Sequence, residues 1–198
     1  MLIPLNEIVD RLNIKNQIKG VIHVGGHVGE EIPLYLAYDW DVIIFEPQKD
    51  CFDKILNNPK VKKYNVALGP EKKLVELYIA SNNESSSILA PKTHLIEHPH
   101  ISFNSKIKVD QDLLDNYDTK NFNFLNLDVQ GYELEVLKGA EKTLSHVDYI
   151  YTEVNTKHLY ENCVLLNELD EWLNSRGFKR VAISMTQFNW GDALYVKY

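Results

Sequence analysis

The stretches VIHVGGHVGEE at residues 21–31 and VIIFEP at residues 42–47 decide how this chain folds. A short apolar run ends at a cluster of glycines, a segment with helical spacing follows, and a second apolar run ends in an acid, Glu46. This order predicts a strand, a tight turn, a helix whose N-terminus offers free N–H groups, and a second strand. An acid about 20 residues after such a turn can accept hydrogen bonds from both hydroxyls of a ribose. The two stretches therefore predict a site for a nucleoside-containing cofactor.

The composition fits one globular domain. The chain has 198 residues, of which 44% are hydrophobic and 25% are charged, so it can bury a full-sized core. We expect a single domain over residues 1–198, with residues 1–19 as an N-terminal helical cap and residues 20–198 as the core. The net charge of −7 disfavours non-specific binding to nucleic acid, which depends on lysine and arginine neutralising phosphates.

Cysteine usage and hydropathy bear on the compartment. Cys51 and Cys163 are the only cysteines, which is too few for a disulfide framework and fits a reducing compartment. Residues 1–17 lack the basic and apolar regions of a signal peptide. No apolar stretch approaches the ~18 residues of a membrane span. We therefore expect a cytoplasmic protein whose partners are neither nucleic acid nor membrane, while the oligomeric state stays open.

Hydrophobic periodicity divides the chain into alternating helices and strands. Helical spacing predicts helices over residues 4–13, 28–38, 48–57 and 162–176, with one more after residue 131. Apolar runs predict strands over residues 21–25, 41–46, 61–67, 74–80, 106–110, 122–128, 147–154, 178–184 and 192–198. The alternation indicates a mostly parallel sheet covered by helices on both faces. The last two strands are joined by residues 185–191 without a helix, so we expect them to pair antiparallel.

A second informative stretch is LNLDVQGYELEVLKGAE at residues 125–141. Its apolar strand stops at Asp128, and an acid there is expensive unless it is paired or faces a site. Open α/β sheets bind ligands at the carboxyl ends of their strands, so we expect Asp128 and Gln130 at the site. Glu133 has two readings, a site residue or a first-turn acid stabilised by the helix dipole.

On these motifs the chain resembles the FkbM family of S-adenosylmethionine-dependent methyltransferases. The stretch DVQGYELEVLKGA at residues 128–140 is the most distinctive, and its combination with the glycine turn makes the resemblance specific. The likeness covers roughly residues 20–198. Similar motifs are IHVGGHVGEE at 22–31, FEP at 45–47, NVALGP at 65–70, TEVN at 152–155, RGF at 176–178 and GDALYV at 191–196.

The resemblance implies both a fold and an activity. The implied fold is α/β, a Rossmann-like class I methyltransferase sheet with seven main strands in the order 3-2-1-4-5-7-6, a terminal antiparallel hairpin and helices on both faces. The implied activity is methyl transfer from S-adenosylmethionine, with S-adenosylhomocysteine as product. The acceptor is a small-molecule hydroxyl, such as one on a carbohydrate or a secondary metabolite.

The resemblance also implies a set of cofactor-binding residues. Glu46 would bind the ribose, Ala67 and Leu68 would flank the adenine, and Ser86 and Ser87 would reach its edge. The chain departs from the family at two positions, with His23 where an acid is usual and Asn126 where a lysine is frequent. The full set is His23, Gly25, Gly26, His27, Gly29, Glu46, Pro47, Ala67, Leu68, Ser86, Ser87, Asp128 and Gln130.

A hydroxyl acceptor must lose its proton, which requires a base or a metal ion. We expect Asp128 or Glu153 to orient or deprotonate the acceptor, with His27 and His158 as alternative bases. Asp128, Glu153 and Asn155 offer oxygen ligands to Mg²⁺, although the residues do not favour a metal.

A group of histidines and the last hairpin suggest two further kinds of site, a zinc site and an acceptor pocket. His94, His98 and His100 lie close in sequence, but no cysteine is near them and a zinc site is not expected. Phe188 and Trp190 would either wall an acceptor pocket or pack over the sheet edge.

Two rival functions share parts of this pattern. An NAD-dependent oxidoreductase would use the same glycine turn and Glu46, but the terminal hairpin and the G-G-x-x-G spacing argue against it. A non-catalytic binding module would keep the fold without the chemistry. Retention of Glu46 and Asp128 at strand ends argues against that reading.

Overall fold

A seven-stranded sheet forms the centre of the protein, and the computed structural model describes all 198 residues. The helices are α1 (Leu5–Leu12), α2 (Ile32–Ala37), α3 (Lys49–Phe52), α4 (His94–Glu97), α5 (Glu133–Lys138) and α6 (Leu166–Asn174). The strands are β1 (Gly20–Val24), β2 (Asp41–Phe45), β3 (Val61–Tyr64), β4 (Ala67–Leu68), β5 (Lys73–Ala80), β6 (Phe103–Asp112), β7 (Phe124–Leu127), β8 (Tyr149–Asn155), β9 (Phe178–Met185) and β10 (Trp190–Lys197).

The order of the strands in the main sheet is β3-β2-β1-β7-β8-β10-β9. Numbered within this sheet alone, the order is 3-2-1-4-5-7-6, which confirms the predicted fold class. The first five strands in this order are parallel, and β10 pairs antiparallel with both β8 and β9. The strands β1 and β7 are buried along their whole length, as expected for the centre of a parallel sheet.

Helices cover both faces of the main sheet, as predicted. On one face α1 and α2 pack through Leu5, Ile8 and Tyr35, which belong to one apolar cluster. On the other face α5 and α6 contribute Val136 and Leu169 to a second, larger cluster. None of the helices is long and apolar enough to cross a membrane.

A second sheet was not anticipated as a separate unit. The predicted third strand, residues 61–67, was wrong at its end, because β3 stops at Tyr64. Ala67 and Leu68 instead form β4, which pairs parallel with β6, and the second sheet has the order β4-β6-β5. The change of sheet carries Ala67 and Leu68 beyond the carboxyl end of β3, next to the main sheet's ligand-binding edge.

Three predicted helices are shorter than expected. The helix predicted over residues 162–176 is α6, which begins at Leu166 and ends at Asn174. The helix predicted over residues 28–38 begins only at Ile32, because the preceding residues form a loop in which Gly25, His27 and Gly29 have positive φ angles. Such angles interrupt a right-handed helix. The helix predicted over residues 48–57 is reduced to α3, which ends at Phe52. The loop itself, rather than a helix N-terminus, therefore faces the carboxyl edge of the sheet.

Candidate active site

A cavity of about 440 Å³ opens at the carboxyl ends of β1, β2 and β7. Its volume lies in the range typical of small-molecule sites. The loops after these strands line the cavity, together with β4 and the loop at residues 82–88. Residues of α4 and the start of β10 complete the lining. This is the position at which open α/β sheets bind ligands.

The glycine loop after β1 is held between two neighbouring strands. Gly25 and Gly26 donate backbone hydrogen bonds of 3.0 and 3.1 Å to the carbonyl oxygen of Phe45. A Cβ on Gly25 would lie 1.8 Å from the carbonyl oxygen of Asp128, and its φ of +80° favours glycine. Gly29 packs against Ile32 on the far side of the loop and does not line the cavity, in contrast to the other predicted glycines.

Glu46 is fixed by the same loop. Its carboxylate accepts hydrogen bonds from the backbone N–H groups of His27 at 2.8 Å and Gln48 at 2.7 Å, and the residue is only 3% exposed. Burial raises the pKa of Glu46 to about 7, although the two N–H donors oppose the shift. Glu46 and Pro47 both line the cavity. The loop N–H group of His27 thus holds this acid in place.

The apolar wall lies next to Glu46. Ala67 and Leu68 line the cavity as predicted, together with Phe45 and Leu77. These side chains offer the kind of surface against which a flat heterocycle packs. The wall therefore suits the base of a nucleoside whose sugar lies at Glu46.

The two predicted serines also line the cavity, but the protein already uses their hydroxyls. The Oγ of Ser86 accepts a hydrogen bond of 3.0 Å from the backbone N–H of Ala80. The Oγ of Ser87 donates a hydrogen bond of 2.7 Å to the carbonyl oxygen of Gln130. Ser86 thus ties the loop at residues 82–88 to the end of β5, and Ser87 ties it to the turn after β7.

The turn after β7 has an unusual backbone that Glu133 stabilises. Gln130 and Gly131 have φ angles of 55° and 95°. One carboxylate oxygen of Glu133 accepts hydrogen bonds from the N–H groups of Val129 at 3.2 Å and Gly131 at 3.1 Å. Glu133 is fully buried, its other oxygen has no hydrogen-bond partner, and burial raises its pKa to about 7. Of the two readings of Glu133, the structure supports a first-turn acid that shapes the site.

The side chain of Gln130 connects two acids. Its amide nitrogen donates hydrogen bonds of 2.7 Å to Asp128 and 2.7 Å to Glu153. Its amide oxygen accepts a hydrogen bond of 2.8 Å from the hydroxyl of Tyr160. We call this arrangement, Asp128, Gln130, Glu153 and Tyr160, the Gln130 bridge. It places the two predicted catalytic acids side by side at the ends of β7 and β8.

A third acid, Asp192, lies beside the Gln130 bridge. Asp192 on β10 is directly opposite Glu153 on β8 and lines the same cavity. The side chain of Asp128 is exposed to the cavity, but protein atoms surround the cavity itself. The resulting loss of hydration raises the pKa of Asp128 to about 6. Burial, and then the neighbouring acids, raise the pKa of Glu153 well above its ordinary value. No lysine or arginine side chain lines the cavity.

His23 faces this acidic end from β1. The residue is 2% exposed, its ring lies edge-on to Tyr35 at 5.9 Å, and its Nδ1 has no hydrogen-bond partner in the protein. Burial lowers the pKa of His23, so the imidazole is neutral near pH 7. A neutral, unpartnered ring nitrogen that lines a cavity can bind a hydrogen-bond donor.

The remaining candidates divide between the cavity and its surroundings. His94, His98 and Trp190 line the end opposite Glu46, and burial lowers the pKa of His94 to about 4. The ring of Phe188 packs at a tilt against that of His98, with centroids 4.9 Å apart, and does not line the cavity. His158 contacts the carbonyl oxygen of Cys163 at 3.1 Å. His100, His158 and Asn155 also lie outside the lining.

The geometry around Asp128 and Glu153 disfavours a metal ion shared by the two carboxyl groups. The amide group of Gln130 lies between the two carboxylates, where a shared cation would have to sit. Asn155, the third oxygen ligand considered for Mg²⁺, does not line the cavity. One group with converging ligand atoms does occur at the cavity mouth, formed by His27, Glu30 and Glu84, but both of its acids are exposed.

Two residues of the site escaped the sequence reasoning. Tyr160 lies in an irregular loop, and nothing in its surroundings marks it. Asp192 interrupts the apolar strand GDALYV at residues 191–196, which is the signal that singled out Asp128. The same argument applied to the last strand would have found it.

Comparison with known proteins identifies related sequences. A family model described as the methyltransferase FkbM domain matches residues 23–180. The chain is 34% identical over 95 residues to the 2-O-methyltransferase NoeI from Sinorhizobium fredii (strain NBRC 101917 / NGR234). That match covers 46% of this chain and 39% of the relative. The chain thus spans less than half the length of this relative.

Solved structures share the fold. The methyltransferase FkbM from Methylobacillus flagellatus KT is 15% identical, with a TM-score of 0.60 over 89% of this chain and 43% of that protein. The magnesium protoporphyrin IX methyltransferase ChlM from Synechocystis PCC 6803, solved with bound S-adenosylmethionine, is 13% identical, with a TM-score of 0.54. This second match covers 98% of this chain and 77% of that protein. At these identities the likeness shows the fold.

The buried acid Glu133 makes a prediction about stability. Its pKa is raised from an ordinary value of 4.5 to about 7, so the folded state binds the proton more tightly than the unfolded chain. Its contribution to stability is complete below pH 4.5 and is lost as the pH rises through 7. We expect Glu133→Gln to make the fall in unfolding free energy between about pH 4.5 and 7 shallower, by at most ~1.4 kcal/mol per pH unit.

Urea unfolding at several pH values measures this slope. Glu46, Asp128 and Glu153 titrate in the same direction, so the slope is reduced and not abolished. Glu135→Gln, on the same helix but paired with Lys138 at the surface, is the matched control and should keep the wild-type slope. Equal slopes for wild type and Glu133→Gln would contradict the prediction.

Proposed function

The chain belongs to the FkbM methyltransferase family, and from that premise we propose that it transfers a methyl group from S-adenosylmethionine to a hydroxyl group of a small molecule. One observation carries the proposal. A single cavity joins Glu46, fixed by two backbone N–H groups, to the Gln130 bridge at the ends of β7 and β8. The first suits a ribose, and the second supplies acids where an acceptor would be deprotonated.

The residues of the cavity fit this cofactor. Glu46 would accept hydrogen bonds from the ribose hydroxyls, and Ala67 and Leu68 would pack against the adenine. The unpartnered Nδ1 of His23 would accept a hydrogen bond from the ammonium group of the methionine part, in place of the acid that is usual in the family. When bound, S-adenosylmethionine supplies a methyl group on a positively charged sulfur for in-line displacement.

Asp128 is the proposed base. One of its oxygens accepts the hydrogen bond from Gln130, which leaves Oδ2 to accept the proton of the acceptor hydroxyl. Its pKa of about 6 suits a base that works near neutral pH, because such a carboxylate is ionised and still takes up a proton readily. Glu153 is more deeply buried and acts through Gln130 as a positioning residue.

The acceptor is proposed to be an uncharged hydroxyl compound, such as a carbohydrate or a secondary metabolite. Trp190, Leu159 and His94 form the wall at the end of the cavity away from Glu46 and would contact it. The relative from S. fredii is named a 2-O-methyltransferase, which supports oxygen as the target atom. The acids of the cavity disfavour a phosphorylated or carboxylated acceptor.

An NAD-dependent reaction fits the cavity less well. A dinucleotide brings a diphosphate, and no lysine or arginine side chain lines the cavity to receive it. The carboxylates of Asp128, Glu153 and Asp192 would repel it. These charges support the methyltransferase proposal over the oxidoreductase alternative.

Calorimetric titration with S-adenosylhomocysteine tests the cofactor. We expect micromolar binding to the wild type, no binding of NAD⁺, and loss of binding in Glu46→Ala. Glu46→Gln, which keeps one acceptor oxygen for the loop N–H groups, should weaken binding by about tenfold. Asp110→Asn, which alters an exposed acid on β6, is the control and should bind like the wild type. Binding that survives in Glu46→Ala would contradict the ribose assignment.

Transfer of a radiolabelled methyl group from S-adenosylmethionine to a panel of neutral sugars and other hydroxyl compounds tests the reaction. For an acceptor found in this way, Asp128→Asn should lower kcat by about 10²–10⁴-fold, because the amide cannot take up the proton. Its affinity for S-adenosylhomocysteine should stay within about tenfold of wild type. Unchanged kcat in Asp128→Asn would exclude Asp128 as base. Cofactor binding without transfer to any hydroxyl compound would favour the non-catalytic binding module.

A further inference from the structure

We propose that the carboxylates at the inner end of the cavity select the charge of the cofactor, so that the protein binds S-adenosylmethionine more tightly than S-adenosylhomocysteine. The inference rests on the proposed function and concerns the exchange of product for fresh cofactor. The two molecules have nearly the same shape. They differ in one methyl group and in the positive charge that the methylated sulfur carries.

The charge of the cavity lining is one-sided. Its positively chargeable groups are the histidines and the amino group of Met1, and the buried histidines, His23 and His94, have lowered pKa values and are neutral near pH 7. Its acids come from six different parts of the chain. They are Glu30, Glu31, Glu46, Glu84, Asp128, Glu153 and Asp192.

Three of these acids converge at the inner end. Asp128 and Glu153 share the amide of Gln130, and Asp192 faces Glu153 across the β8–β10 pair. Asp192 also accepts hydrogen bonds from the hydroxyl of Tyr151 and from the N–H of Leu2. None of the three carboxylates forms a salt bridge with a lysine or arginine.

An independent feature shows that this end is built to receive a donor or a cation. A recess of about 20 Å³ lies between His23, Asp128, Glu153 and Asp192. His23 lines this recess, and its Nδ1 is buried without a hydrogen-bond partner, although buried polar atoms are almost always hydrogen-bonded. The carboxyl groups of Asp128, Glu153 and Asp192 line this recess as acceptors, and they outnumber its one cationic group, the amino group of Met1, whose charge lowers the pKa of Asp128.

Coulomb attraction to these acids favours a cationic ligand over a neutral one. Inside a protein the effective dielectric constant is far below that of water, so a unit charge several ångströms from an ionised carboxylate has a substantial interaction energy. Transfer of the methyl group removes that charge from the cofactor. The product therefore loses attraction to Asp128, Glu153 and Asp192 at the moment when it must leave.

Titration calorimetry with three ligands tests the inference on the full chain at about pH 8, where the acids are most ionised. The ligands are S-adenosylmethionine, S-adenosylhomocysteine and sinefungin, an analogue in which an amine-bearing carbon replaces the methylated sulfur. We expect the two cationic ligands to bind about tenfold or more tightly than the neutral thioether.

Variants identify the residues responsible. Asp192→Asn and Glu153→Gln each replace a carboxyl group by an amide with little change in shape, and each should bring the affinity ratio closer to one by weakening the two cationic ligands selectively. Glu161→Gln removes an exposed acid outside the cavity lining and should keep the wild-type ratio. Circular dichroism verifies that each variant is folded. If Asp192→Asn is unfolded, the affinity ratio of Glu153→Gln tests the inference.

The outcomes separate the two proposals. Tight binding of S-adenosylhomocysteine, equal to or stronger than that of the cationic ligands, would overturn the charge selection and leave the proposed function intact. A parallel loss of affinity for all three ligands in both variants would also overturn it, because the acids would then act on structure alone. Binding of none of the three would overturn the proposed function, and the inference with it.

Discussion

The arrangement of the site depends on one side chain, Gln130, whose amide donates hydrogen bonds to both Asp128 and Glu153. Two carboxylates on neighbouring strands repel each other unless a donor lies between them. Gln130 reaches this position because its backbone is left-handed, a conformation that Glu133 stabilises from the start of α5. Tyr160 then orients the amide by donating to its oxygen. The topology brings the ends of β7 and β8 together, and the Gln130 bridge reduces the repulsion between the acids at those ends.

The same acids determine what the cavity binds. They leave an excess of acceptors and negative charge at its inner end, which suits a cationic cofactor and an uncharged hydroxyl acceptor and disfavours a diphosphate. Their enclosure raises the pKa of Asp128 to about 6 and that of Glu153 well above its ordinary value. Cofactor selection, proton transfer and release of the product are thus proposed to depend on one electrostatic environment.

The sequence revealed the parts of the molecule that depend on local pattern. Strand and helix periodicity predicted the alternating elements and the terminal hairpin, and acids that interrupt apolar strands predicted Glu46 and Asp128. The order of the main sheet followed from the resemblance to the FkbM family. Contacts between distant segments could not be predicted from the sequence. Ala67 pairs with a strand of the second sheet and does not extend β3, and no sequence pattern around Tyr160 indicates its place in the site. The helix after β1 was predicted too long, since the positive φ of His27, a residue other than glycine, leaves no mark in the sequence.

A crystal structure of the protein with S-adenosylhomocysteine tests the central claim most directly. The account predicts ribose hydroxyls at Glu46, adenine against Ala67 and Leu68, and the sulfur closer to Asp128 than to Glu46. The amide of Gln130 should remain between Asp128 and Glu153. A ligand bound elsewhere, or a Gln130 side chain that leaves both acids when the ligand binds, would contradict the account.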